Sequence, residues 1–245
     1  MKIYTTPKEN ATESIGNAIK DICLDLSNED SKSDALPRKR NVYLELSRSE
    51  LSRYLLMSRE LMLAFGDNTI TASGTSALTG KLLQLASGTV YDDKKEVIHF
   101  HKKKIDALKR LFKEYDASNV LVAYWFKHEL EHIMSEIPEA RPILSPEDME
   151  DWNNGIIHVG LINSSMGGHL GDLSGGGNIL IWFSLTWSLS LYARTNSRII
   201  RNDCMDSLII HLIVSNTIDE AVLKILEANK KDNSLLLEAV RSHLQ

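Results

Sequence analysis

Several things are scarce in this chain, and each scarcity excludes a class. Two cysteines, Cys23 and Cys204, are too few for a disulfide framework, so a reducing compartment is expected. There is no cationic excess: 28 basic against 33 acidic side chains leave a formal charge of −5. A protein gripping nucleic acid over its whole surface is usually basic, so any such contact here is expected to be local or shared with a partner. No apolar run approaches bilayer length; residues 179–183 and 208–214 are strand-sized. The opening MKIYTTPKENATESIGN has no charged segment followed by an apolar one, so it does not read as a secretory leader, and a cytoplasmic protein without a membrane role is expected. There is no internal repeat and no P-loop. Gly74-Thr75-Ser76-Ala77-Leu78-Thr79-Gly80-Lys81-Leu82 comes near, but it has one spacer residue too many, ends in Leu, and follows no buried strand.

What is present is a composition with a core, 43% hydrophobic and 25% charged over 245 residues, enough for one large domain or one domain with an extension. Residues 13–26 carry apolar side chains at helical spacing, and 27–40 read as a polar linker. Residues 42–46 suggest a short strand. Ser47 and Glu50 form a capping box into a helix ending near Phe65. A second helix is predicted over 76–85, ended by Ser87-Gly88, and then a hairpin with 89–91 and 97–100 as its arms. From about residue 100 the pattern alternates. Apolar runs at 120–124, 142–144, 156–162, 178–183 and 208–214 are separated by helices at 102–115, from 126, from Ser145-Pro146, at 188–201, and after Thr217 and Glu220. Continuous apolar strands between helices imply a parallel sheet covered on both faces. The expected architecture is a doubly wound α/β domain at 96–245, with a mainly helical extension and hairpin at 1–95.

Arg198 and Arg201 are three apart on the helix at 188–201 and share a face. A planar, permanently charged fork suits the negative charge that spreads over a phosphoryl group during transfer. On spacing alone, a solvated helix face is the commoner explanation. The glycine-rich stretch 164–173, containing Gly167, Gly168 and Asp172, follows a strand and would let backbone approach a phosphate, or simply connect two elements. His128-Glu129-Leu130-Glu131-His132 matches H-E-x-x-H, the zinc-protease pattern, but lacks a third-histidine extension and sits in an α/β array; the alternative is two exposed histidines on an amphipathic helix. Lys102, Lys103, Lys104, Lys109, Arg110 and Lys113 make one helix basic, which reads as a solvated face with possible point-charge contacts to DNA.

From Trp182 to Tyr192 (WFSLTWSLSLY), and on through Asn196-Ser197-Arg198-Ile199-Ile200-Arg201, the sequence resembles the C-terminal half of Swi/Snf-type superfamily-two helicase-like ATPases, especially the compact versions of bacteriophages. The likeness continues through LLQLASGTVY, VLVAYWFKHEL, residues 151–155 and IIHLIVSNTIDEAVLKIL, covering nearly everything from Val42 onward. The resemblance implies a RecA-like second lobe that faces an ATP-holding first lobe, with duplex DNA lying across both. Arg198 and Arg201 then match the family's paired finger arginines. Gly167, Gly168 and Asp172 match its glycine-rich coupling motif. Thr186, Trp187 and Ser188, with Lys127 and His128 in the first strand-to-helix turn, match its DNA-facing positions. ATP and Mg²⁺ would come only with a separately encoded P-loop lobe. The chain departs from the family at Arg194, where glutamine is usual, at 201–204, and at Leu170-Gly171-Asp172-Leu173, where the aspartate is electrostatically unhelpful beside phosphate. An apolar and basic patch beside Arg198, or self-association, is also expected of a lobe without its partner.

Overall fold

A computed structural model describes residues 37–66, 68–116, 118–166, 171–200 and 207–228. Its elements, in chain order, are β1 (Arg38–Leu44), α1 (Arg48–Glu60), the hairpin β2 (Met62–Phe65) and β3 (Asn68–Thr71), α2 (Thr75–Ser87), and the hairpin β4 (Thr89–Tyr91) and β5 (Val97–His99). The alternating array follows: α3 (Lys103–Glu114), β6 (Val120–Tyr124), α4 (Lys127–Glu136), β7 (Ala140–Pro142), α5 (Pro146–Asn153), β8 (Val159–Asn163), β9 (Ile179–Trp182), α6 (Leu189–Ser197), β10 (Leu208–Val214) and α7 (Ile218–Glu227). No helix among the described residues is long and apolar enough to cross a membrane.

The strands form a six-stranded parallel sheet in the order β1-β10-β9-β6-β8-β7. Alternate side chains feed two cores. Leu121, Ala123, Leu180, Trp182, Ile209 and Ile213 face one side, with α1, α2, α5, α6 and α7 packed there. Val120, Val122, Ile179, Ile181, Ile210 and Leu212 face the other, under α3 and α4. Both faces are covered, as continuous apolar strands require. The expected α/β RecA-like sheet is present, with one strand more than the five apolar runs between 120 and 214. The sixth, β1, is exposed or half-exposed at all but its last residue because it lies at the sheet edge, which is why its apolar content is weak. The core also runs across residue 95: Tyr54, Leu78 and Val90 share one buried cluster with Leu180 and Val222.

Two helices are shorter than their periodicity suggests. α1 stops at Glu60 because Leu61 turns left-handed (φ 57°), and Gly66 (φ 61°) then folds residues 62–71 into a hairpin that buries Leu63 and Ile70. α6 ends at Ser197, with Arg198 as its C-cap. The capping box predicted at Ser47 is formed, and the helix start predicted at Ser145-Pro146 closes as a capping box with Asp148. At Thr217 the hydroxyl instead accepts from the Asp219 amide, while Asp219 itself is turned inward. The helix expected at 13–26 lies outside the described residues.

Candidate functional site

α6 begins at the carboxyl edge of the sheet, where Ser188 caps it, and runs back beneath the strands. At about 1.5 Å per residue, Arg198 is carried roughly 15 Å from that edge. It therefore does not join Lys127, Trp187 and Ser188, and two separate clusters result. At the far end of α6 the Arg198 side chain is only 7% exposed, and its Nη1 donates to the Gly171 carbonyl at 2.7 Å. The Leu173 amide donates in return to the Arg198 carbonyl at 3.2 Å. Burial is the main influence lowering the Arg198 pKa, with Arg194 adding repulsion. The end of the glycine-rich stretch and the candidate finger are thus in direct contact. Asp172 is exposed, and its carboxylate accepts from the Ser174 amide and hydroxyl at 2.9 and 3.0 Å, an Asx turn that keeps the charge in solvent. Gly167, Gly168 and Arg201 lie outside the described residues. Among the described residues, the large exposed apolar side chains, such as Leu56, Met62, Leu144 and Ile156, lie on neither α6 nor residues 171–173.

The second cluster occupies the carboxyl edge, the usual ligand side of an open α/β sheet. Lys127 projects from the first turn of α4, its side chain 80% exposed and 3.7 Å from Glu131. Trp187 packs against Trp125 with ring centroids 5.2 Å apart, both half-buried, and Ser188 is half-buried at the start of α6. Two expected members are displaced. Thr186 is fully buried, and its hydroxyl accepts from the Ser188 amide, shaping the turn. His128 is 1% exposed and hydrogen-bonded to Thr89 at 2.6 Å, out of reach of any backbone outside the fold. Trp125 went unpredicted; its signal was its place in the strand-to-helix turn, two residues before Lys127.

The H-E-x-x-H reading fails on the role of its glutamate. Glu129 is fully buried, and its carboxylate accepts from the Trp125 and Phe126 amides at 2.8 and 3.0 Å and from the Ser184 hydroxyl at 2.6 Å. It ties α4 to the ends of β6 and β9, so it is a cap and not a base. Burial pushes its pKa up, against those donors. The histidines are buried, not exposed, and no group of three or more metal-ligating side chains assembles among the described residues.

Burial, followed by neighbouring charge, holds His101, His128, His132 and His211 at about 4. Those pKa values lie below the ordinary one near 6.5, so the unfolded chain takes up protons first as pH falls. Stability is therefore expected to drop between about pH 6.5 and 4, and to be fully present above that window. Urea midpoints at about pH 7 and pH 5 check this; equal midpoints would mean that the imidazoles are not kept neutral by the fold.

Several cations of the basic stretch 102–113 are paired within the fold. Lys102 and Lys109 both reach Glu136, at 2.7 and 2.6 Å. Lys104 is 1% exposed and lies 2.8 Å from Asp219, which also accepts from the Val214 amide at 3.1 Å. This buried pair ties α3 to the β10–α7 turn.

No family model matches the chain. "Putative protein p41" of Acyrthosiphon pisum secondary endosymbiont phage 1 is 33% identical over 232 residues, which cover 91% of this chain and 50% of that relative. The chain thus spans about half the length of the curated relative it matches. Among solved structures it is similar to the C-terminal part of the Fun30 ATPase domain (TM-score 0.61, 15% identity, 85% of this chain and 97% of that one). It is also similar to the Sulfolobus solfataricus SWI2/SNF2 ATPase core in complex with dsDNA (TM-score 0.54, 14% identity, 96% and 53%). At these identities the likeness establishes the fold alone: a RecA-like α/β lobe.

Proposed function

We propose, from a chain with the fold of the second lobe of a Swi2/Snf2-type ATPase, that it supplies finger arginines and half of a duplex-DNA track to a separately encoded P-loop lobe. ATP and Mg²⁺ belong to that partner, which cradles the phosphates. Arg198, with Arg201, would meet the γ-phosphoryl group across the cleft and offset its developing charge. The carboxyl edge, with Lys127, Trp187 and Ser188, would follow the DNA backbone. The observation that carries this reading is the contact between Arg198 and Gly171, which joins the finger to the stretch whose start leads back to the carboxyl edge through β8.

The chain alone is expected to hydrolyse no ATP, while adding a P-loop lobe of this type restores turnover that duplex DNA stimulates. Turnover by the chain alone, or none in the mixture, would overturn the split-enzyme reading. A second reading, a catalytically inactive remnant that binds protein or DNA, is favoured by the burial of Arg198 and by Asp172 in the coupling stretch. It predicts association with the P-loop lobe or DNA without any turnover.

A further inference from the structure

We infer that α5 acts as the anchor for Arg198, with Trp152 as a positioning residue that works through the backbone of Gly171–Leu173. This rests on the finger role proposed above for its effect on turnover, though not for its geometry. Nearly every polar backbone group of this tripeptide is engaged by α5 or by Arg198. The Gly171 amide donates to Met149 Sδ at 3.1 Å, and the Gly171 carbonyl accepts from Arg198 Nη1 at 2.7 Å. The Asp172 carbonyl accepts from Asn153 Nδ2 at 3.0 Å. The Leu173 carbonyl accepts from Trp152 Nε1 at 2.8 Å, while its amide donates to the Arg198 carbonyl. Three side chains on one face of α5, at positions 149, 152 and 153, therefore hold a strap whose other side holds the arginine.

The indole is itself immobilised. Trp152 is fully buried, and glycines leave the room it occupies. A Cβ at Gly176 would stand 2.4 Å from Trp152 Nε1, and one at Gly160 would stand 2.9 Å from Trp152 Cε3. A side chain fixed this tightly transmits position instead of absorbing displacement. A finger must meet its phosphoryl group within a fraction of an ångström, and a guanidinium hung from a loose loop would not. The α5–strap–Arg198 chain gives it a rigid base that reaches back to the sheet.

Trp152→Phe keeps the ring and removes the N–H donor, and Asn153→Ala removes the second bond from a more exposed position. In the full chain, hydrogen exchange at the Leu173 amide is expected to rise about tenfold in either variant. Modification of Arg198 by an arginine-selective dicarbonyl, read by mass spectrometry against exposed Arg194, is expected to accelerate. With the P-loop lobe added, kcat is expected to fall roughly five- to tenfold with little change in KM, as for a displaced transition-state contact. Unchanged exchange and unchanged Arg198 reactivity in Asn153→Ala would overturn the anchor, even if Trp152→Phe did not fold. Altered exchange and reactivity with unaltered turnover would keep the anchor and sink the finger role instead.

Discussion

Arg198→Ala and Arg201→Ala, each assayed with the P-loop lobe present, are expected to lower DNA-stimulated turnover by roughly 10³-fold or more, the scale of a finger supplied from a facing lobe. Arg198→Lys is expected to recover little, because a point charge replaces the planar fork that spans two oxygens. DNA binding should survive all three, since Lys127, Trp187 and Ser188 stand at the other end of α6. That division between lost turnover and retained binding separates a finger from a residue that merely stabilises the lobe. A reconstituted rate unchanged by these substitutions would mean that the arginines are structural, and the binding-module reading would take over.

Asp219→Ala is expected to destabilise the chain by about 3–5 kcal/mol, because it strands the Lys104 ammonium without a counter-charge in a dry interior. The same substitution deprives the Val214 amide of its acceptor. For a chain of this size the thermal midpoint would fall by about 10 °C. The double variant Lys104→Met, Asp219→Leu should regain most of that loss, since a matched apolar pair carries no desolvation cost. Chemical denaturation of the three proteins checks both steps. A single-variant loss under about 1 kcal/mol would mean that water reaches the pair.

Much of the sheet was legible because parallel strands buried on both faces are written as unbroken apolar runs, and 208–214 matches the strand at both ends. Local chemistry was equally readable where a cap or a glycine dictates it, as at Ser145-Pro146 and Gly88. What escaped was decided by tertiary contact. β1 is an edge strand, and Arg38, Lys39 and Arg40 look like linker until β10 supplies its hydrogen bonds. Lys104 looked like one more surface cation, since nothing nearby in sequence announces an aspartate 115 positions later. Glu129 and its flanking histidines imitated a metal motif, because spacing reports which side chains share a helix face but not what lies opposite them. The helix at 188–201 was read too long: Arg198 caps α6 and Arg201 lies outside the described residues, so the shared helical face is not seen. The distance of Arg198 from the carboxyl edge followed from where α6 ends.

The pairing of β1 with β10 has a bearing on how this chain reaches its fold. Arg38 to Leu44 run alongside Leu208 to Val214, so strands some 170 positions apart must find one another. During synthesis the early strand waits with an unpaired edge until residues 208–214 have emerged, and its ladder, like that of β9 with β10, can close only then. Such distant pairing slows folding and leaves an adhesive edge open in the meantime. The cationic run Arg38-Lys39-Arg40 sits on that edge, and like charge there discourages two nascent copies from zipping together before the proper neighbour arrives.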